Sequence, residues 1–105
     1  MSVFCFDLDS TICYWNPSKE FPYGRPEDCT PIRDRVMRVN QLYEQGHTII
    51  IDTARGTRTG KDTQKLTEKQ LEEWGVKYHI LRTGIKFSAD FYIDDLAINS
   101  NDFFE

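Results

Sequence analysis

The chain has 105 residues, enough for one domain, and with 39% hydrophobic and 13% aromatic residues it can fill a core, which excludes wholesale disorder. Its formal charge of −4 argues against a protein that grips nucleic acid by bulk electrostatics. Apolar runs such as Ile49-Ile50-Ile51 fall far short of the roughly 20 residues needed to span a membrane, and the opening residues meet Asp7 too soon for a signal-peptide apolar region.

Val3-Phe4-Cys5-Phe6, followed by Asp7-Leu8-Asp9, reads as a buried strand that ends in acids. Cys13 to Thr30 holds three of the four prolines and no sustained period, so it is expected to be loop. Thr30 then stands as an N-cap with Pro31 in the first turn. Ile32, Val36, Val39 and Tyr43 recur at i, i+4, i+7 and i+11, an amphipathic helix stopped at Gly46. His47 to Ile51 is a second strand that runs into Asp52 and Thr53. A second helix is expected over Thr63 to Trp74, with Leu66, Leu71 and Trp74 inward and Gly75 ending it. Tyr78 to Leu81 is a third strand, and Asp90 to Ile93 a fourth that ends in Asp94-Asp95. His47 and His79 fall within strands and take structural roles. The three cysteines, Cys5, Cys13 and Cys29, are an odd number without a C-x-x-C pair, so neither a disulfide framework nor a zinc site is expected; the setting is cytoplasmic, with reduced thiols.

Strands alternating with helices point to an α/β fold class, a single domain over residues 1–105 with a short parallel sheet and right-handed crossovers. In such sheets ligands sit beyond the carboxyl ends of the strands, where Asp7, Asp9, Thr53, Asp94 and Asp95 all fall. If the fourth strand lies beside the first, the link from Arg82 to Ala89 must cross roughly 14 Å of sheet and holds Lys86 near these acids. Carboxylates that converge at about 4 Å repel by on the order of 4 kcal/mol per pair, and a hard divalent cation such as Mg²⁺ relieves this. A metal, an ammonium and a hydroxyl among carboxylates suit phosphoryl transfer.

Asp7-Leu8-Asp9-Ser10-Thr11 resembles the D-x-D-x-T motif of the haloacid dehalogenase (HAD) superfamily of phosphatases and phosphotransferases. Ile49 to Arg55 is similar to its second motif, Lys86 to its third, and Asp94-Asp95 to its acidic fourth, in the same order along the chain. The T-A-R run of Thr53-Ala54-Arg55 and the stretch Lys86 to Asp95 resemble small capless members, some of which accompany capsular or sugar-phosphate biosynthesis. Phe87 stands where proline is usual there, and Ser10 where glycine is commonest. The resemblance implies a three-layer Rossmann-like domain and a phosphomonoester hydrolase that works through an aspartyl-phosphate. Asp7 would be the nucleophile and Asp9 the general acid–base. Thr53 and Lys86 would bind the phosphoryl oxygens, Ala54 would line the substrate site beside Thr53, and Arg55 would clamp a further anionic group. Asp7, the backbone carbonyl of Asp9, and Asp94 would hold Mg²⁺, with Asp95 ligating through water or orienting its shell.

The gaps between motifs are too short for an inserted cap domain, so the site is expected to be open, with Trp15, Phe21 and Tyr23 either at its entrance or packed as a loop. An open site suits a sugar phosphate or another small phosphometabolite, the favoured substrate class. A nucleotide or polynucleotide 3′ end is the alternative, kept alive by five cations against two acids between Arg55 and Lys69. No membrane is expected as a partner, and a homo-oligomer stays open. An EF-hand is excluded because Ile12 and Ser18 stand where such a loop needs glycine and glutamate. A receiver-like signalling domain would place its lysine after the last acid, whereas Lys86 precedes Asp94; a non-catalytic binding module would have no use for the whole set.

Overall fold

A computed structural model describes residues 1–105. The first strand, β1 (Val3–Phe6), ends immediately before Asp7, as the apolar run requires. The segment expected to be featureless loop contains a short antiparallel pair, β2 (Cys13–Tyr14) with β3 (Thr30–Pro31), in register Cys13↔Pro31, and a 3₁₀ turn over Pro26–Asp28. Thr30 is therefore not an N-cap. Its backbone belongs to the ladder and its hydroxyl accepts a hydrogen bond from Asn16 Nδ2 at 2.6 Å. Helix α1 (Arg33–Glu44) starts after Ile32 instead, with no side-chain cap.

Strand β4 (Thr48–Asp52) follows, then helix α2 (Gln64–Trp74), which Gly75 ends in the left-handed conformation at φ +72°. Strand β5 (Ile80–Arg82) begins two residues later than expected because His79 is used as a clasp. Its N–H donates to the Ile49 carbonyl and its Nδ1 accepts from the Ile49 N–H, at 2.9 and 3.0 Å. A last turn of helix, α3 (Ser100–Phe103), starts at Asn99, whose side chain accepts from the Asn101 N–H. No helix is long and apolar enough to cross a membrane.

The sheet is parallel in the order β1-β4-β5, with Phe4 opposite Ile49 and Ile51 opposite Leu81. Strands laid down in sequence and joined by right-handed crossovers put both connecting helices on the same face. The core lies there: Phe6, Ile49 and Ile51 pack with Val36, Val39 and Leu42 of α1 and with Leu71 and Trp74 of α2, while Phe103 and Phe104 close the β1 end. Each fully buried isoleucine contributes roughly 2–3 kcal/mol. The opposite face, with Val3, Cys5 and Ile80 exposed, carries no helix. The domain is thus an α/β fold of two layers, a correction to the expected three.

The expected fourth strand does not form. Residues 83–99 run as an irregular ribbon in which Phe91 and Ile93 are 81% and 96% exposed. Local bonds compete with pairing to β1: Tyr92 Oη accepts from the Ala89 N–H and donates to the Phe87 carbonyl, and Arg58 Nη2 donates to Ser88 Oγ. The ribbon folds on itself, and β1 stays an edge.

The turn after β4 tolerates no side chain at Gly56. Its φ is +81°, and a Cβ there would lie 2.4 Å from the Lys61 carbonyl oxygen. Gly56→Ala is expected to destabilise the protein by about 2 kcal/mol, read as a lower urea midpoint; an unchanged midpoint would show that this turn bears no strain.

Candidate active site

Parallel strands bring their carboxyl ends to one edge, and three of the expected site residues meet in a cleft of about 680 Å³ there. Asp7, directly after β1, has a half-exposed side chain, and Lys86 Nζ stands 3.6 Å from its Oδ1. Burial pushes the Asp7 carboxyl up from its ordinary value, against the opposing pull of Lys86. Asp94 lines the same cleft from the ribbon, with Tyr92, Thr11 and Asp52. Asp94 is held below the usual carboxylate range, first by the Leu96 N–H that donates to its Oδ1 at 2.8 Å. The Tyr92 ring lies 4.7 Å from Lys86 Nζ, a cation–π contact that orients the ammonium.

The turn after Asp7 is tight. The Leu8 carbonyl accepts from the N–H groups of Thr11, Ile12 and Cys13, and Ser10 adopts φ +65°, the left-handed region that glycine enters most readily. This turn carries Asp9 inward, away from the cleft lining. Its carboxylate receives a fork from Arg55: Nε at 3.2 and 3.0 Å from the two oxygens and Nη2 at 2.7 Å from Oδ1. Arg55 is 5% exposed, and its Nη1 donates to Gln70 Oε1 at 2.5 Å and to Thr67 Oγ1 at 3.3 Å. Burial disfavours the guanidinium, but the bonds to Asp9 and its charge outweigh that and leave Arg55 above its ordinary value. The sulfurs of Cys13 and Cys29 lie 3.4 and 3.6 Å from Asp9 Oδ1. The Cys29 thiol is pulled down, first by its hydrogen bond with Cys13, whose own thiol is pushed up.

Arg55 was expected to reach out to substrate; it is instead a buried partner of Asp9. Thr53 stands at the end of β4 but is 1% exposed, with its Oγ1 accepting from the Arg55 N–H at 3.2 Å, and it does not line the cleft. Ala54 beside it is half-buried, and Asp95 is exposed outside the cleft. Burial of Arg55 also thins the basic stretch, leaving Arg58, Lys61, Lys65 and Lys69 at the surface. Trp15 and Phe21 pack within their loop, Trp15 against Gly24 and Phe21 under Arg25 at 4.4 Å, whereas Tyr23 is 93% exposed, and none of the three lines the cleft.

Sequence reasoning missed Asp52, which ion-pairs with Arg82 at 2.7 Å, and Tyr92. It also missed Thr67 and Gln70, although they share the i, i+3, i+4, i+7 stripe with Leu71 and Trp74, and a polar residue in an inward stripe signals a buried partner. Chemically, the cleft offers the half-exposed Asp7 carboxylate with an ammonium held against it, the Asp94 carboxylate, and the Asp52 carboxylate already paired with Arg82.

No family model matches the chain, and no curated protein matches it. Among solved structures, the chain is similar to an MCSG target from Vibrio cholerae, with a TM-score of 0.81 and 24% identity over 99% of this chain and 88% of that one. That likeness carries the α/β fold.

Proposed function

We propose that the protein is a Mg²⁺-dependent phosphomonoester hydrolase of the HAD type. The observation that carries this reading is the meeting of Asp7 and Lys86, 79 positions apart in sequence, at 3.6 Å in a cleft that Asp94 also lines. Asp7 is the nucleophile: its carboxylate is open to the cleft, and its second oxygen is free of the lysine contact. Lys86, steadied by Tyr92, neutralises phosphoryl oxygens as charge moves onto them. Asp9, two residues beyond the nucleophile, is the general acid–base of this reading, and in this structure Arg55 holds its carboxylate on the inward side of the cleft lining. Thr53, buried at the end of β4, accepts from the Arg55 N–H and so holds the segment that carries Arg55, not the phosphoryl group.

The donor set fits Mg²⁺. Asp7 and Asp94 supply hard carboxylate oxygens in an open cleft, no cation pairs with Asp94, and Mg²⁺ favours one or two carboxylates together with waters and substrate oxygens. Asp7, Asp94 and the Asp9 carbonyl would hold the ion, with Asp95 acting on its waters. When bound it would offset the negative charge that gathers on the transferring group. The substrate class is a sugar phosphate or similar small phosphometabolite, favoured over a polynucleotide end because burial of Arg55 removes a cation from the surface.

Release of p-nitrophenol from p-nitrophenyl phosphate, with and without Mg²⁺, tests the reading, backed by a panel of sugar phosphates and nucleotides. Metal-dependent turnover is expected, and no turnover across the panel would overturn it. Lys86→Met is expected to lower kcat/KM about 100-fold while the fold is retained; a tenfold or smaller loss would remove Lys86 from phosphoryl binding.

A further inference from the structure

We infer that Cys13 and Cys29 are a modification site: a pair that closes to a reversible disulfide with a hydroperoxide as oxidant. Their sulfurs and an Asp9 carboxylate oxygen all lie within 4.8 Å of one another, and both thiols donate to the same Asp9 Oδ1. Closure to the roughly 2 Å of a disulfide requires the two sulfurs, already within 4.8 Å, to move together. Cys13 faces Pro31 across the β2–β3 pair, and Cys29 lies two residues before Pro31, just beyond the ladder, where strand pairing does not hold its backbone. That ladder is two residues long on each strand, so it has little to resist the approach.

Exposure assigns the roles. Cys29 is half-buried and meets the oxidant, whereas Cys13 is fully buried and resolves the intermediate. The Cys29 sulfur, as thiolate, attacks one oxygen of hydrogen peroxide. An S–O bond forms, the O–O bond breaks, and the departing hydroxide takes up a proton to leave as water. The Cys13 sulfur then attacks the Cys29 sulfenic acid; the S–S bond forms, the S–O bond breaks, and the Cys13 proton leaves with the hydroxyl as a second water. The sulfur pair is oxidised by two electrons and the peroxide is reduced. A cation is a poor competitor for this trio, because Arg55 already occupies the Asp9 carboxylate and its Nη2 stands 3.9 Å from Cys13 Sγ.

Oxidation takes both S–H donors from Asp9 Oδ1. Its effect on turnover rests on the proposed role of Asp9, whereas the covalent change does not. The full-length protein would be treated with hydrogen peroxide, alkylated, and read by intact mass and peptide mapping. The expected product has lost two hydrogens, joins Cys13 to Cys29, carries alkyl only on Cys5, and returns to three free thiols with a dithiol reductant. Cys29→Ser should abolish the link, and a Cys29-linked product with Cys5 instead, or independent oxidation of all three thiols, would overturn the proposal. The oxidised protein should also turn over p-nitrophenyl phosphate about tenfold more slowly, reversibly. A Cys13–Cys29 link that leaves turnover unchanged upholds the modification and overturns its effect on Asp9. If no preparation hydrolyses phosphate esters, the mass result still decides the disulfide.

Discussion

Asp7→Asn is expected to abolish phosphate release while the protein folds as before. Asparagine keeps the shape of aspartate but cannot form the acyl phosphate, so turnover should fall by roughly three orders of magnitude or more. Its stability makes a separate prediction. Burial raises the Asp7 carboxyl in the folded protein above its unfolded value. An acid raised in this way favours the folded state below its unfolded pKa, and that contribution is lost as pH climbs through the folded value. The wild-type protein in metal-free buffer should therefore gain stability relative to Asp7→Asn as pH falls through that window, and at neutral pH the variant should be at least as stable. Urea midpoints across that range check the sign. Turnover that survives in Asp7→Asn would end the covalent mechanism, and an Asn variant less stable at neutral pH would show that the charge of Asp7 is needed for folding.

Arg55→Met is expected to have the largest effect on stability. The substitution strands the Asp9 carboxylate and the Gln70 carbonyl, which receive four of the guanidinium's bonds. Breaking a buried ion pair from one side costs about 3–5 kcal/mol. A domain of this length has a total of roughly 5–15 kcal/mol to lose, so the variant should unfold at a much lower urea concentration. Arg55→Lys should recover only part of the loss, because a point charge cannot reproduce the fork that spans Asp9, Gln70 and Thr67. A midpoint near wild type for Arg55→Met would mean that the pair is nearly balanced by its own desolvation.

The elements legible in the sequence were those set by local chemistry. The apolar runs before Asp7 and Asp52 and the periodic stripe from Ile32 to Tyr43 became β1, β4 and α1 within a few residues. The left-handed glycine at position 75 ended α2 where expected. The ribbon was illegible because Asp90–Ile93 has the alternation of a strand, and only a partner edge decides whether such a segment pairs. The layer count failed with it, since it depends on which side of the sheet each strand joins. Within the site, Asp7 was legible as an acid at a strand end, and Lys86 and Asp94 from residue type and their order along the chain, although the strand expected before Asp94 does not form. The inward turn of Asp9 was not. It depends on Arg55, 46 positions away, and on two polar residues of α2 that read as solvent-facing when only leucine and tryptophan are counted as the core stripe.

The one-sided neighbourhood of β1 predicts its amide exchange. In a parallel ladder, successive residues direct their N–H groups to opposite sides, so a strand with a single partner has every second amide facing water. β4, between β1 and β5, has partners for both sets. Deuterium uptake should therefore be slow at each position of β4, should alternate between slow and fast along Val3–Phe6, and should be fast through the ribbon. The molecule would thus be most rigid one strand inward from β1, which leaves Asp7 at the junction between a protected interior and a freely exchanging rim.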